Sequence, residues 1–188
     1  MRVLGISGSL RGEAFNTRLL RAAEELAPPG VELAVCEGLR LKAVPPYDED
    51  DDVEPRPEAV ARLCAAITRA DAVLFATPEY NSSIPGQLKN AIDWVSRPVA
   101  TNPLRNKPVA VVGASTGAFG AVWAQAELRK VLASLGARVL DVEVPVSHAH
   151  TRFEDEQLAD EEIREQITDA LKGLAAEARA RTSLEVAV

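Results

Sequence analysis

The 188-residue chain is poor in the residues that usually announce a staple or a metal, with two cysteines, two histidines and one methionine. Cys36 stands in an apolar run and Cys64 at helical spacing, so both read as small core residues of a reducing compartment rather than as a disulfide. His148 and His150 lack a third ligand at metal spacing, so no metal site is expected. Positive charge is also short. With 21 Lys and Arg against 28 Asp and Glu, the net charge is -7, and the pI is about 5.0. That excludes the dense cationic face needed to displace counterions from nucleic acid. No stretch reaches the roughly 18 apolar residues of a membrane span. Met1 leads straight into an apolar strand, without the charged, apolar and small-residue layout of a secretion signal. A cytoplasmic protein bound to neither membrane nor nucleic acid is expected. No internal repeat is found.

What is present is a regular alternation. Val3, Leu4 and Ile6 form a strand ended by Ser7-Gly8-Ser9, and Leu19, Leu20, Ala23 and Leu26 mark a helix stopped by Pro28-Pro29-Gly30. Val31 to Cys36 reads as a second strand. Val60, Leu63, Cys64 and Ile67 follow Pro57 as a second helix, and 71–77 reads as a third strand. A helix from Pro85 carries Leu88, Ala91, Ile92 and Val95; a strand over 108–113 follows, then a helix with Leu128, Val131, Leu132 and Leu135 closed by Gly136. Val139 to Val146 reads as the fifth strand, and Ile163, Ile167, Ala170, Leu171 and Leu174 as a last helix. Strands apolar on both faces, each followed by a helix, call for an α/β fold: a doubly wound five-stranded parallel sheet covered on both sides. One domain over 1–178 is expected, with 179–188 as a flexible tail. In the flavodoxin-like order 2-1-3-4-5, ligands sit outside the carboxyl ends of the strands, between the first and third. The loops that matter are those after Ile6, Thr77 and Gly113.

The first of these, Ser7-Gly8-Ser9-Leu10-Arg11-Gly12, offers hydroxyls, a guanidinium and free backbone N–H groups, and Asn16 and Thr17 open the next helix. An anion is favoured there. Glycines at 5, 8 and 12 do not make the dinucleotide fingerprint, and no G-K-[ST] lysine follows, so a monophosphate fits better than a dinucleotide or a triphosphate. The plainer alternative is a polar turn with Asn16 as helix cap. The second loop runs Thr77-Pro78-Glu79-Tyr80-Asn81-Ser82-Ser83-Ile84-Pro85. Its backbone groups between two prolines can match the polar edge of an isoalloxazine, with Tyr80 as an aromatic wall. The acidic run 48–54 lacks the glycine and glutamate of a calcium loop, because Val53 and Ala59 stand there, and reads as solvated.

Ser9-Leu10-Arg11 with Phe15-Asn16, residues 78–94, and His148-Ala149-His150-Thr151-Arg152-Phe153 together resemble the NAD(P)H-dependent FMN reductase family, whose members include quinone, chromate and azo-dye reductases. The resemblance covers residues 1 to about 175. It implies FMN with its phosphate held by Ser9, Arg11, Phe15, Asn16 and Thr17, its ring by Pro78, Glu79, Tyr80 and Asn81, and its far edge by Ser115, Thr116 and Gly117. The activity implied is a ping-pong cycle, with NADPH or NADH as donor and a quinone, flavin, azo compound or chromate as small-molecule acceptor. The flavin carries the hydride, so no protein residue is assigned as catalytic. A homodimer or homotetramer with the site near the interface is implied as well. Ala14 and Thr116 depart from the family pattern, which has serine and glycine at those places.

Three questions stay open at this level. Trp94 reads equally as core or as a dimer contact. Glu79 reads as an acid or as the partner of Lys89 or of another subunit's arginine. Gly113-Ala114-Ser115-Thr116-Gly117 matches a nucleophile elbow, with Asp141 and His148 following in hydrolase order, so a serine hydrolase is the rival enzyme. A flavodoxin-like electron carrier is the rival of another class. Arg97 to Asn106, as a flap over a nicotinamide, would speak for the reductase.

Overall fold

The computed structural model describes residues 1–35 and 41–186. Cys36, expected in the core, lies outside the described residues. The elements follow the expected alternation: β1 (Arg2–Ser7), α1 (Phe15–Glu25), β2 (Glu32–Val35), α2 (Glu58–Arg69), β3 (Ala72–Ala76), α3 (Gly86–Val95), β4 (Pro108–Ala114), α4 (Val122–Ser134), β5 (Arg138–Val139), β6 (Pro145–Val146), β7 (Phe153–Glu154), β8 (Gln157–Leu158) and α5 (Glu161–Val186). The parallel sheet has the order β2-β1-β3-β4-β5, with β6 also on β4, and β1 pairs β3 from Val3↔Ala72 to Ser7↔Ala76. The fold is flavodoxin-like.

Two-residue alternation divides the core into two layers. Val73 and Phe75 of β3 and Val109 and Val111 of β4 meet Leu63, Ile67, Leu88, Trp94 and Leu128 on one face. Leu74 and Ala76, with Ala110 and Val112, meet Leu19, Leu20, Ile167 and Leu171 on the other. Every residue of β3 and β4 is buried, as central strands of a covered parallel sheet must be. Trp94 is fully enclosed and donates its indole N–H to the Pro45 carbonyl (2.9 Å), so it is core.

One expectation is revised. The fifth strand is not continuous over 139–146: only its two ends pair with β4. Between them, the Val144 N–H donates to Gln125 (3.2 Å) and the Val142 carbonyl accepts from Arg129 (3.1 Å). Side chains of α4 thus satisfy two groups that a continuous ladder would have paired, and Asp141 and Glu143 are exposed. At the other end of the chain, α5 runs into the segment set apart as a tail and reaches Val186.

Candidate active site

Loops after β1, β3 and β4 converge at the carboxyl edge of the sheet. Gly8 donates to the Ala76 carbonyl (2.8 Å), Thr77 to the Val112 carbonyl (2.9 Å), and Ser115 to the Val146 carbonyl (3.0 Å), so each loop leaves its strand tied to the next. At Gly8 the first loop meets the second with little room to spare. A Cβ there would lie 2.8 Å from Leu88 Cδ2 and 3.3 Å from Pro78 Cδ, and the bare backbone lets the first loop press against the second.

The first loop is organised by its own hydroxyls. Ser7 Oγ lies 2.9 Å from Thr17 Oγ1, Ser9 N–H donates to Ser7 Oγ (3.3 Å), and Arg11 N–H to Ser9 Oγ (3.4 Å). Arg11 is exposed and has no ion pair among the described residues. The N-cap of α1 is Ala14, which gives no side-chain cap. Thr17 and Arg18 N–H bond the Ala14 carbonyl, and the N–H groups of Phe15 and Asn16 have no acceptor among the described residues. An uncapped helix start after a loop that carries Arg11 and two serines, with Thr17 in its first turn, has the donor types for a phosphate monoester. The departure at Ala14 removes the side chain that would otherwise cap the helix.

Two residues assigned to the phosphate turn their side chains elsewhere. Asn16, 2% exposed, donates through Nδ2 to the Ala114 carbonyl and accepts through Oδ1 from the Ala114 N–H, both at 2.9 Å. It is a clamp between α1 and the end of β4, and only its backbone faces the loop. Phe15 packs on Phe153 (5.8 Å between centroids), with the Arg18 guanidinium over both rings. Ser9 Oγ and Thr17 Oγ1 bond within the first loop, and Arg11 is exposed.

In the second loop, Pro78 is buried and Tyr80 half exposed. Tyr80 and Ser83 exchange two backbone hydrogen bonds (3.0 and 3.1 Å) around Asn81 and Ser82, whose φ values of 53° and 60° are both left-handed. That is the geometry of a type I′ turn, built without glycine. Glu79 is not paired with Lys89, which binds Asp93 (2.7 Å) one helical turn on. Its carboxylate instead accepts from the Trp123 and Ala124 N–H groups (3.1 Å each) at the start of α4. The following helix also has a task the sequence did not show. Gln87 donates to the Leu41 and Val44 carbonyls, and Asn90 bridges Pro45 and Tyr47, so this face of α3 holds segment 41–47.

The third loop is locked to the segment after β6. His148 N–H donates to the Gly117 carbonyl and Ala149 N–H to that of Ser115 (3.0 Å each). Thr116 is exposed and lies outside the left-handed region, so its backbone does not need the glycine it replaces. Ser115 Oγ accepts from Gly117 N–H (3.1 Å). No hydrogen bond among the described residues joins it to a histidine or to Asp141, so the hydrolase triad is not assembled. His148 and His150 are exposed and meet edge to face at 6.3 Å. The described residues hold no metal-binding group of three or more His, Cys, Asp or Glu. In the acidic run, Asp48 caps its own turn and Asp52 pairs with Arg56 (2.8 Å).

The segment 97–106 is misplaced for a flap. Asn106 bonds the Gly136 carbonyl, just before β5, and Asn102 bonds Leu135, so the segment lies at the amino ends of the strands, opposite the three loops. Sequence reasoning passed over Phe119 and Trp123, which stand 61% and 46% exposed with centroids 4.9 Å apart, directly after the third loop. Large aromatics following a ligand loop, on a helix that needs only one apolar face, were the available signal.

Residues 1–151 match the family described as NADPH-dependent FMN reductase. The chain is 44% identical over 176 residues to an NAD(P)H-dependent FMN reductase of Pseudomonas aeruginosa, covering 93% of each. It is 42% identical over 151 residues to a quinone reductase of Pseudomonas putida, covering 80% of each. Among solved structures it is similar to FerB, a flavoenzyme NAD(P)H:(acceptor) oxidoreductase of Paracoccus denitrificans, with a TM-score of 0.81 at 33% identity over 96% of this chain and 98% of that one.

Proposed function

Because the chain belongs to the NADPH-dependent FMN reductase family, we propose that it is an FMN-dependent NAD(P)H oxidoreductase serving small acceptors, quinones foremost. The observation that carries this reading is the contrast between two helix starts at one edge. The start of α4 is closed by Glu79, whereas that of α1 is left open beside Arg11, Ser9 and Thr17. A phosphate fits the open one. Pro78 to Asn81 then run along the flavin ring, and Ser115 to Gly117 lie at its far edge. Bound flavin supplies the two-electron centre. The protein orients it and leaves one face reachable, bordered by Tyr80, Phe119 and Trp123, where flat nicotinamides and quinones can stack in turn. Ping-pong kinetics are expected.

A homodimer or homotetramer belongs to the same proposal. Four large apolar side chains, Leu10, Tyr80, Phe119 and Trp123, are exposed around the site, the kind of patch that association covers. No helix of the described residues is long and apolar enough to cross a membrane, and a free thiol at Cys64 suits the cytoplasm. The test is anaerobic titration of the FMN-reconstituted protein with NADH and then NADPH, followed in the visible band. Bleaching by either nucleotide supports the reductase and shows the preferred donor. Bound flavin that neither reduces makes the protein a carrier, and failure to bind FMN overturns the reading.

A further inference from the structure

Two carboxylates join the second loop to α4, and they work in opposite directions. Glu79, on the loop, reaches the helix and accepts from Trp123 and Ala124 N–H (3.1 Å each). Glu127, one turn along the helix, reaches back and accepts from Ser83 Oγ (2.6 Å) and Ile84 N–H (3.3 Å). Neither has a cationic partner among the described residues, so both carboxylates are held by neutral donors of the loop and the helix.

The helix needs this help. Its N-cap residue, Ala121, is left-handed (φ 62°, ψ 33°) and supplies no side-chain cap. Val122 N–H finds the Phe119 carbonyl (3.2 Å), and Glu79 takes the next two N–H groups, which completes the donors of the first turn. A carboxylate at that end is also favoured by the helix dipole.

The loop needs it as well. Between the two anchors lie Asn81 and Ser82, both at positive φ without being glycine, a conformation that persists only when its surroundings impose it. Their N–H groups have no acceptor among the described residues, so the clasped turn presents two donors outward. Strain held in place beside a ligand edge is a familiar form of pre-organisation.

From this we infer that Glu79 and Glu127 are the positioning residues of the flavin site, a two-carboxylate staple that fixes the 78–84 loop on α4 and presents the turn's backbone donors to the ring. The inference rests on the FMN reading above. Glu79 is therefore neither a proton donor nor a cofactor ligand; it acts through Trp123 and Ala124. The same staple sets the placement of Trp123 relative to the flavin loop, so the bordering aromatic moves with it.

The experiment compares wild type with Glu79→Ala, Glu127→Ala and the two Gln variants. It uses amide hydrogen exchange of the flavin-free protein, FMN affinity by fluorescence quenching, and the visible spectrum of the bound flavin. Exchange at Trp123 and Ala124 should quicken in Glu79→Ala, and at Ile84 in Glu127→Ala. FMN should bind roughly tenfold more weakly in each, the scale of one charge-assisted hydrogen bond. The flavin band should shift, because the polar groups along the ring have moved. Glutamine keeps an acceptor oxygen and nearly the same volume but loses the charge, so it should show a smaller weakening in the same direction; it is the variant to read where alanine does not fold, and wild-type affinity and spectrum there would overturn the inference. Quickened exchange with unchanged affinity and spectrum would leave only a helix cap and overturn the inference. A wild-type protein that does not bind FMN overturns the reading of the site, and this inference with it.

Discussion

Replacing Asn16 by leucine removes a side chain that both donates to and accepts from the backbone of Ala114, each at 2.9 Å and out of contact with water. Leucine has similar bulk and no polar atom, so the N–H and carbonyl of Ala114 lose partners that solvent cannot replace. An orphaned buried group costs about 1–3 kcal/mol. Two would cost about 2–6 kcal/mol, and backbone relaxation should bring the loss to about 3 kcal/mol. In a protein of this size each kcal/mol lowers Tm by about 2–4 °C, so a drop of roughly 6–12 °C is expected. The assay is thermal unfolding of the flavin-free protein, since bound FMN would add its own stabilisation to wild type. Asn16→Asp supplies a second reading. Its ionised carboxylate accepts from Ala114 N–H but faces the Ala114 carbonyl with a lone pair, so this variant should recover on acidification, when a protonated carboxyl can donate as the amide does. The reasoning is refuted if Asn16→Leu stays within about 2 °C of wild type while FMN binding weakens, which would make the side chain a phosphate ligand.

Arg11→Ala should weaken FMN binding about tenfold or more, by losing charge-assisted bonds to phosphate worth roughly 1.5–3 kcal/mol; a flavin-free Tm that moved with it would contradict a pure binding role. Gly8→Ala should cost about 1–3 kcal/mol in urea unfolding by forcing its Cβ against Leu88 and Pro78, and an unchanged midpoint would show that the two loops are not in contact. Burial pushes the Cys64 thiol above its ordinary 9.0, with Arg56 opposing. Iodoacetamide should therefore modify it more slowly at pH 8 than free cysteine in a Cys36→Ser background. The same shift makes the folded state hold its proton longer than the unfolded chain, so the stability it contributes is complete below the ordinary pKa and is lost as pH rises through the folded value. Cys64→Ser should flatten that alkaline decline.

The apolar periods alone determined the alternation of strands and helices, the parallel sheet and the three loops at its carboxyl edge. These follow from local spacing and from the rule that a sheet apolar on both faces must be covered on both. Ser9, Arg11 and Thr17 could be singled out for the same reason: they lie within a few residues of a helix start. Tertiary structure alone decided what the longer-range polar side chains do. Asn16 finds its partner 98 residues away at Ala114, and Glu79 bonds Trp123 and Ala124, 44 and 45 positions on. Composition cannot tell a side chain that meets a ligand from one that meets a distant backbone, because both need the same donors and acceptors. The placement of 97–106 shows the limit from the other side. Its proline and polar content suited a flap, but a loop that leads from a helix into a parallel strand must lie at the amino end of the sheet, away from the site.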